Sequence, residues 1–182
     1  MEKDERQVAE WYNTLSGSYD ELYGREQSSK HKTILEFLGN RHFRVLLDIG
    51  CGTGSFLEKA KEICDHSVGI DLSANMLRIA KNRRIPNSDL VLASSSSLPF
   101  KDESSDCTVS ISTATAESNL PRFIADVERV ARGDYLLAIT LFQQSGTIDA
   151  VTLPLVVRST RISERETLYF LRPAHRPGIA DD

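Results

Sequence analysis

The residues best suited to chemistry stand in one stretch, LLDIGCGTGSFLEKA, which begins at Leu46. An apolar run passes through Asp48, and Gly50, Gly52 and Gly54 follow at alternate positions before a helical pattern begins. Glycine accepts positive φ and lets a ligand approach the main chain closely. A strand ending here presents bare backbone and a helix N-terminus at its carboxyl end, the crevice where open α/β sheets bind ligands. The spacing G-x-G-x-G is not the G-x-G-x-x-G of dinucleotide binders. It is not a phosphate-binding P-loop either, because no Lys-Ser/Thr follows. Asp71 closes the next apolar run, SVGIDL, and an acid there can accept hydrogen bonds from both hydroxyls of a ribose. Asp48 can hold a cationic group through water or orient the loop. The plainer alternative is a tight strand-to-helix turn with a capping acid. Cys51, inside the loop, reads as a small loop side chain rather than a nucleophile.

These residues need a frame. Val8, Trp11, Tyr12 and Leu15 recur at helical spacing and predict an amphipathic helix over 4–15. The polar stretch SGSYDELYG reads as turn-prone. His31, Ile34, Leu35 and Leu38 predict a second helix closed by Gly39-Asn40. RVLLDIG is too short for a buried helix and reads as a central strand. Phe56, Leu57, Ala60, Ile63 and Cys64 mark a helix, SVGIDL a second strand, and Ser73 the N-cap of a helix with Met76, Leu77 and Ala80. DLVLA and DCTVSIS are strands three and four. Leu120, Phe123, Ile124, Val127, Val130 and Ala131 trace a helical stripe before a fifth strand, DYLLAITLF. VTLPLVVRS and ETLYFLR read as two more strands, the first at an edge or starting late because of Pro154. RPAHRPGIADD reads as a flexible tail. Strict alternation over 43–142 predicts an α/β fold with a parallel sheet and right-handed crossovers. The expected organisation is a single domain over 1–182. It comprises a helical lid segment (1–40), a core (43–142), C-terminal strands (143–174) and a tail (175–182).

The 182 residues are 40% hydrophobic and 26% charged, ordinary for a globular chain. No run approaches a membrane span, and MEKDERQVAEWY lacks the apolar core of a signal peptide. Cys51, Cys64 and Cys107 have no CxxC spacing and read as reduced thiols of a cytoplasmic protein. The scattered His31, His42, His66 and His175 argue against a metal site. The net charge of -4 disfavours a purely electrostatic nucleic-acid binder. Residues 1–26 hold seven acids against three bases. Basic residues gather instead at Arg78, Lys81, Arg83 and Arg84, and at Arg158, Arg161, Arg165, Arg172 and Arg176.

LLDIGCGTGSFLEKA and VGIDLSANML resemble the first two signature motifs of class I S-adenosylmethionine-dependent methyltransferases. VLASSSSLPFKDESSDCTVS is similar to the third and fourth, and Ser16-Gly17-Ser18-Tyr19-Asp20 resembles the S-x-x-YD of the small-molecule, quinone-biosynthesis-type branch. The resemblance covers roughly residues 12–142. It implies a Rossmann-like, doubly wound, mostly parallel seven-stranded sheet of order 3-2-1-4-5-7-6, with S-adenosyl-L-methionine as cofactor. By position it also implies that Gly50, Gly52 and Gly54 line the methionine part of the cofactor, with Asp48 near its amino group. Asp71 would take the ribose hydroxyls, Leu72 and Met76 would lie near the adenine, and Tyr19 would close over the top. Cys51, Ser94, Ser95 and Ser112 complete the expected cofactor-binding set.

Two departures stand out. Relatives usually carry an acid near the end of strand three, where this chain has Ser94-Ser95, and a serine accepts more weakly than a carboxylate. Beyond strand four stands Ser112-Thr113-Ala114-Thr115-Ala116-Glu117, with no N-P-P-Y motif, which disfavours methylation of exocyclic or amide nitrogens. No convincing base stands out: Glu117 is a candidate, and the plainer reading of it is a solvent-facing acid at a helix start. The expected function is in-line methyl transfer to a small molecule. The alternatives are a catalytically silent cofactor-binding subunit, an RNA- or ribosome-directed methyltransferase with an activator subunit, and a nicotinamide oxidoreductase with the wrong glycine spacing. The C-terminal sheet edge is the expected place for a second copy or an activator.

Overall fold

We describe residues 4–113, 120–142, 156–164 and 166–172 in a computed structural model of the protein. The strands are β1 (Phe43–Ile49), β2 (Cys64–Asp71), β3 (Ser88–Leu92), β4 (Ser105–Ser110), β5 (Ala131–Phe142), β6 (Val156–Arg161) and β7 (Glu166–Leu171). They form one sheet in the order β3-β2-β1-β4-β5-β7-β6. β1 to β5 run parallel, and β7 and β6 are added antiparallel. The helices are α1 (Glu5–Leu15), α2 (Tyr19–Leu38), α3 (Ser55–Ala60), α4 (Ala74–Asn82) and α5 (Leu120–Val130).

The central strands read as unbroken apolar runs because both sheet faces are covered. Alternate residues serve opposite cores. Leu46, Cys107, Leu136, Ala138 and Phe170 pack with Ile34, Leu38, Phe56 and Leu57 from α2 and α3. Leu47, Ile49, Leu137, Ile139 and Leu171 pack with the α5 stripe, Leu120, Phe123, Ile124, Val127 and Val130. Each such side chain contributes about 1.5–3 kcal/mol by leaving water, so packing rather than propensity holds α5. Ser73 caps α4 as expected, its hydroxyl accepting from the Met76 N–H at 3.1 Å.

Several expected boundaries move. The stretch SGSYDELYG is not a turn: a 3-10 turn over Ser16–Ser18 leads straight into α2 at Tyr19. Asp20 and Glu21 lie in the first helical turn, where acids suit the helix dipole, and this outweighs the polar, glycine-containing composition. Cys64 opens β2 opposite Phe43 instead of closing α3. It is buried in the same core that a helical Cys64 would enter, so its apolarity did not discriminate. β5 begins at Ala131, and Arg132-Gly133 forms its bulged start, with Gly133 at φ 56°. β6 is an edge strand, as expected. Pro154, residues 114–119 and the 173–182 tail lie outside the described residues. Among the described residues no helix is long and apolar enough to cross a membrane.

Candidate functional site

β1 and β2 end side by side, with Asp48 paired to Gly69 in register. The Gly50 and Cys51 N–H groups both donate to the Ile70 carbonyl, at 2.8 and 2.9 Å, which folds the loop back over β2. The loop then meets the Asp71 carboxylate. One oxygen accepts from the Gly52 N–H at 2.9 Å and the other from the Ser73 N–H at 2.8 Å. Burial raises the Asp71 pKa against these backbone donors, which favour its charged form.

The three loop glycines do different work. Gly50, Gly52 and Gly54 all have positive φ, at 75°, 53° and 76°. A Cβ on Gly50 would strike Thr113, and one on Gly54 would stand 3.0 Å from the Ala80 Cβ in α4. A Cβ on Gly52 would point into open space, with nothing within 4 Å. Gly50 and Gly54 therefore answer to neighbouring protein, and Gly52 leaves room for a ligand.

Two open clefts meet over this loop, with about 570 and 440 Å³ of free space. Both are lined by Tyr19, Gly50, Gly52 and Ile111. The first runs toward Asp71, Leu72, Met76, Ala93 and Ser95, a slot with apolar walls and one carboxylate. The second runs toward Asp48, Gln27, His31 and Asp20 and is the more polar of the two. Asp48 is buried, and burial first, then the nearby Asp71 charge, push its pKa up to about 8. His31 is held neutral, its pKa lowered to about 3 by burial and by Lys59. The Lys59 ammonium donates to His31 Nδ1 at 3.2 Å, which leaves the ring proton on Nε2.

The N-terminal helices roof the first cleft. Val8 and Tyr12 of α1 line it, and Asn13 fastens α1 to the start of α4. The Asn13 Oδ1 accepts from the Ser73 hydroxyl at 2.7 Å and the Asn75 N–H at 3.1 Å. Asp20 clamps the start of α2: it accepts from the Thr53 hydroxyl at 2.7 Å and from Arg83, which also donates to the Thr53 carbonyl. Tyr19 packs on Tyr12 and Tyr23, and burial raises its pKa, so it stays a phenol at neutral pH.

Most of the expected residues come together at these clefts. Tyr19, Gly50 and Gly52 line both. Asp71, Leu72, Met76, Ser95 and Ser112 line the first, and Asp48 and Cys51 the second. Gly54 faces α4 and lines neither. Ser94 is turned outward, and with Ser96 it donates to the Glu5 carboxylate of α1, both at 2.6 Å. These two bonds hold the Glu5 pKa down. Burial drives the Cys51 pKa well up, so its thiol is not a nucleophile. Glu117 lies outside the described residues. Sequence reasoning missed Glu5, Gln27, Lys30 and His31 as neighbours of the site. The amphipathic stripe on α1 and the resemblance at Tyr19-Asp20 hinted that this segment covers something, but neither picked out these four side chains.

Residues 47–139 match the family model described as a methyltransferase domain. The chain is 35% identical over 136 residues to an uncharacterized protein, MJ1252, of Methanocaldococcus jannaschii, covering 74% of this chain and 51% of that one. It is 28% identical over 144 residues to the malonyl-[acyl-carrier protein] O-methyltransferase of Yersinia pestis, covering 78% and 53%. The fold is shared with the DhpI–SAH complex, at a TM-score of 0.77 and 13% identity, over 94% of this chain and 98% of that one. The chain spans about half the length of the curated relatives named here.

Proposed function

The chain belongs to the methyltransferase-domain family of class I S-adenosylmethionine-dependent proteins, and on that premise we propose that it transfers a methyl group to a small acceptor molecule. The observation that carries the reading is the Asp71 carboxylate, held by the Gly52 and Ser73 N–H groups beside the one loop glycine that faces open space. Each oxygen keeps acceptor capacity for a ribose hydroxyl.

The residues fit S-adenosylmethionine along its length. The slot of Leu72, Met76 and Ala93 suits a flat adenine, with Ser95 on its wall. Asp48 and the donor Nε2 of His31 suit the amino and carboxylate ends of the methionine part in the more polar cleft. Such a cofactor supplies an activated methyl on a positively charged sulfur, so the chemistry is one in-line displacement. The protein's share is alignment and exclusion of water. Tyr19 and the α1 roof do the excluding, and Gly50, Gly52 and Ile111 line the junction of the clefts. A cationic amino group beside Asp48 favours its charged form, so binding at neutral pH releases a proton.

Similarity to a malonyl-[acyl-carrier protein] O-methyltransferase favours a small acyl group, free or carrier-borne, as the acceptor. The buried free thiols Cys51, Cys64 and Cys107 suit a reducing cytoplasm. A second reading, an RNA acceptor presented with an activator subunit, draws on the exposed Arg158 and Arg161 and the exposed Val156 and Val157 of edge strand β6. Transfer of radiolabelled methyl to a panel of small carboxylates, phenols and quinone precursors, against total RNA, separates the two. Label on a small molecule is expected. Label on RNA alone would select the second reading, and label on neither, with bound cofactor, would make the chain a silent subunit.

A further inference from the structure

Among the described residues, two charged groups are buried and unused by the reading above, Lys30 and Glu166. Lys30, on α2, has no exposed surface, and its ammonium meets three acceptors. They are Glu166 Oε2 of β7 at 2.6 Å, Glu26 Oε1 at 2.7 Å and the Ser112 hydroxyl oxygen at 2.7 Å. An ammonium has three protons, so Lys30 is saturated and serves neither as a base nor as a ligand donor. Glu166, also buried, accepts the Ser112 hydroxyl proton at 3.1 Å on its other oxygen. Gln27 donates to the same hydroxyl at 3.3 Å and to the Tyr19 hydroxyl at 3.4 Å. The Ser112 N–H donates to the Thr140 hydroxyl at 2.6 Å.

All of this converges on a residue in an unfavourable backbone state. Ser112 follows β4 with φ 53°, a left-handed conformation that serine adopts reluctantly. It lines the first cleft, Gln27 lines the second, and Tyr19 lines both. A buried ion pair is a poor device for stability alone, since an apolar pair of similar size usually folds at least as well. What this pair does is therefore better read from what it holds. Strain that persists at a cleft wall because several side chains over-determine it is the expected mark of a positioning role.

We propose that Lys30 and Glu166 are positioning residues: together they pin the Ser112 hydroxyl and, through Gln27, the Tyr19 phenol, and so fix the wall where the two clefts meet. The proposal rests on the reading that this site binds S-adenosylmethionine. It makes the C-terminal hairpin part of the site, because Glu166 is the first residue of β7. It also means that Ser112 reaches a ligand only through its backbone and Cβ, its hydroxyl being fully engaged.

The test pairs thermal unfolding with calorimetric titration of S-adenosylhomocysteine. K30M alone leaves Glu166 buried without its partner, and the melting midpoint should fall by roughly 6–20 °C. The double variant K30M/E166M replaces the ion pair with two apolar chains. Its midpoint should return to within a few degrees of the unchanged protein, while the dissociation constant stays about tenfold weaker. Recovery of both would overturn the proposal and make the pair structural only. S112G covers the case in which the double variant does not fold. Glycine removes the left-handed strain but leaves Lys30, Gln27 and Glu166 each short of one partner, so the midpoint should shift by only a few degrees, while loss of the hydroxyl should weaken binding by about fivefold to tenfold. Unchanged affinity in S112G would equally overturn it. Should the unchanged protein bind no S-adenosylhomocysteine at millimolar concentration, the cofactor reading itself falls, which is a different outcome from equal binding by protein and variants.

Discussion

β1 and β4 are neighbours in the sheet, and each ends at the same cleft in left-handed backbone, yet the two ends are built in opposite ways. After β1 the chain uses glycine, for which positive φ carries no steric penalty, and the loop is held by backbone N–H groups on Ile70 and Asp71. After β4 it uses Ser112, for which positive φ is costly, and side chains from α2, β5 and β7 hold it there. The first joins two adjacent strand ends through bonds from backbone N–H groups. The second is assembled from residues as far apart as Gln27 and Glu166. The lesson is that a cleft of this kind needs bare main chain where a ligand lies against it, and a fixed wall opposite, and that only the first can be encoded in short motifs.

The largest expected effect falls on the β1 side. Asp71→Ala removes the acceptor for the Gly52 and Ser73 N–H groups together with the ribose-binding carboxylate. Affinity for S-adenosylhomocysteine should fall by about a hundredfold or more, the loss of two charge-assisted bonds. Retained affinity would mean that the loop is only a structural turn.

Within the loop, Gly54→Ala and Gly52→Ala should part company in urea unfolding. The Gly54 substitution sets a Cβ against Ala80 at positive φ, and should cost about 2–4 kcal/mol of stability. The Gly52 substitution meets no neighbour, so only the backbone strain of about 1–2 kcal/mol remains. Equal losses would erase the division between packing glycine and ligand-facing glycine.

The smallest effect is a pH dependence. Asp48 has its pKa raised to about 8 in the folded state from 3.8, so the stability it contributes is full near pH 4 and is lost as pH rises toward 8. His31 works oppositely: its pKa is lowered to about 3 from 6.5, so stability is lost as pH falls below 6.5. The two slopes oppose between pH 4 and 6.5, and from about 6.5 to 8 the Asp48 slope is no longer opposed by His31. The unchanged protein should lose at most about 1.4 kcal/mol per pH unit there, and Asp48→Asn should be flat. A variant that keeps the slope would place its cause elsewhere.

The sequence made the sheet legible because parallel strands buried on both faces spell unbroken apolar runs, and the strand order followed from the resemblance. The loop glycines and Asp71 were legible for the same local reason. Three things were not. α2 begins at Tyr19 because its first-turn acids favour a helix in a stretch whose composition suggests a turn. Gly54 lies in the motif but faces α4, which spacing alone does not reveal. The Lys30 cluster has no sequence signature at all: lysine and glutamate are ordinary surface residues until the fold buries them together.

The most direct test of the central claim, that open backbone at Gly52 beside Asp71 forms a nucleoside-binding cleft, is calorimetric titration of S-adenosylhomocysteine into the unchanged protein and into Gly52→Ala. One-to-one binding with a dissociation constant of about 1–100 μM is predicted, weakened about tenfold in the variant while its melting midpoint shifts by only a few degrees. No binding at millimolar ligand, or equal affinity in the two proteins, would contradict it.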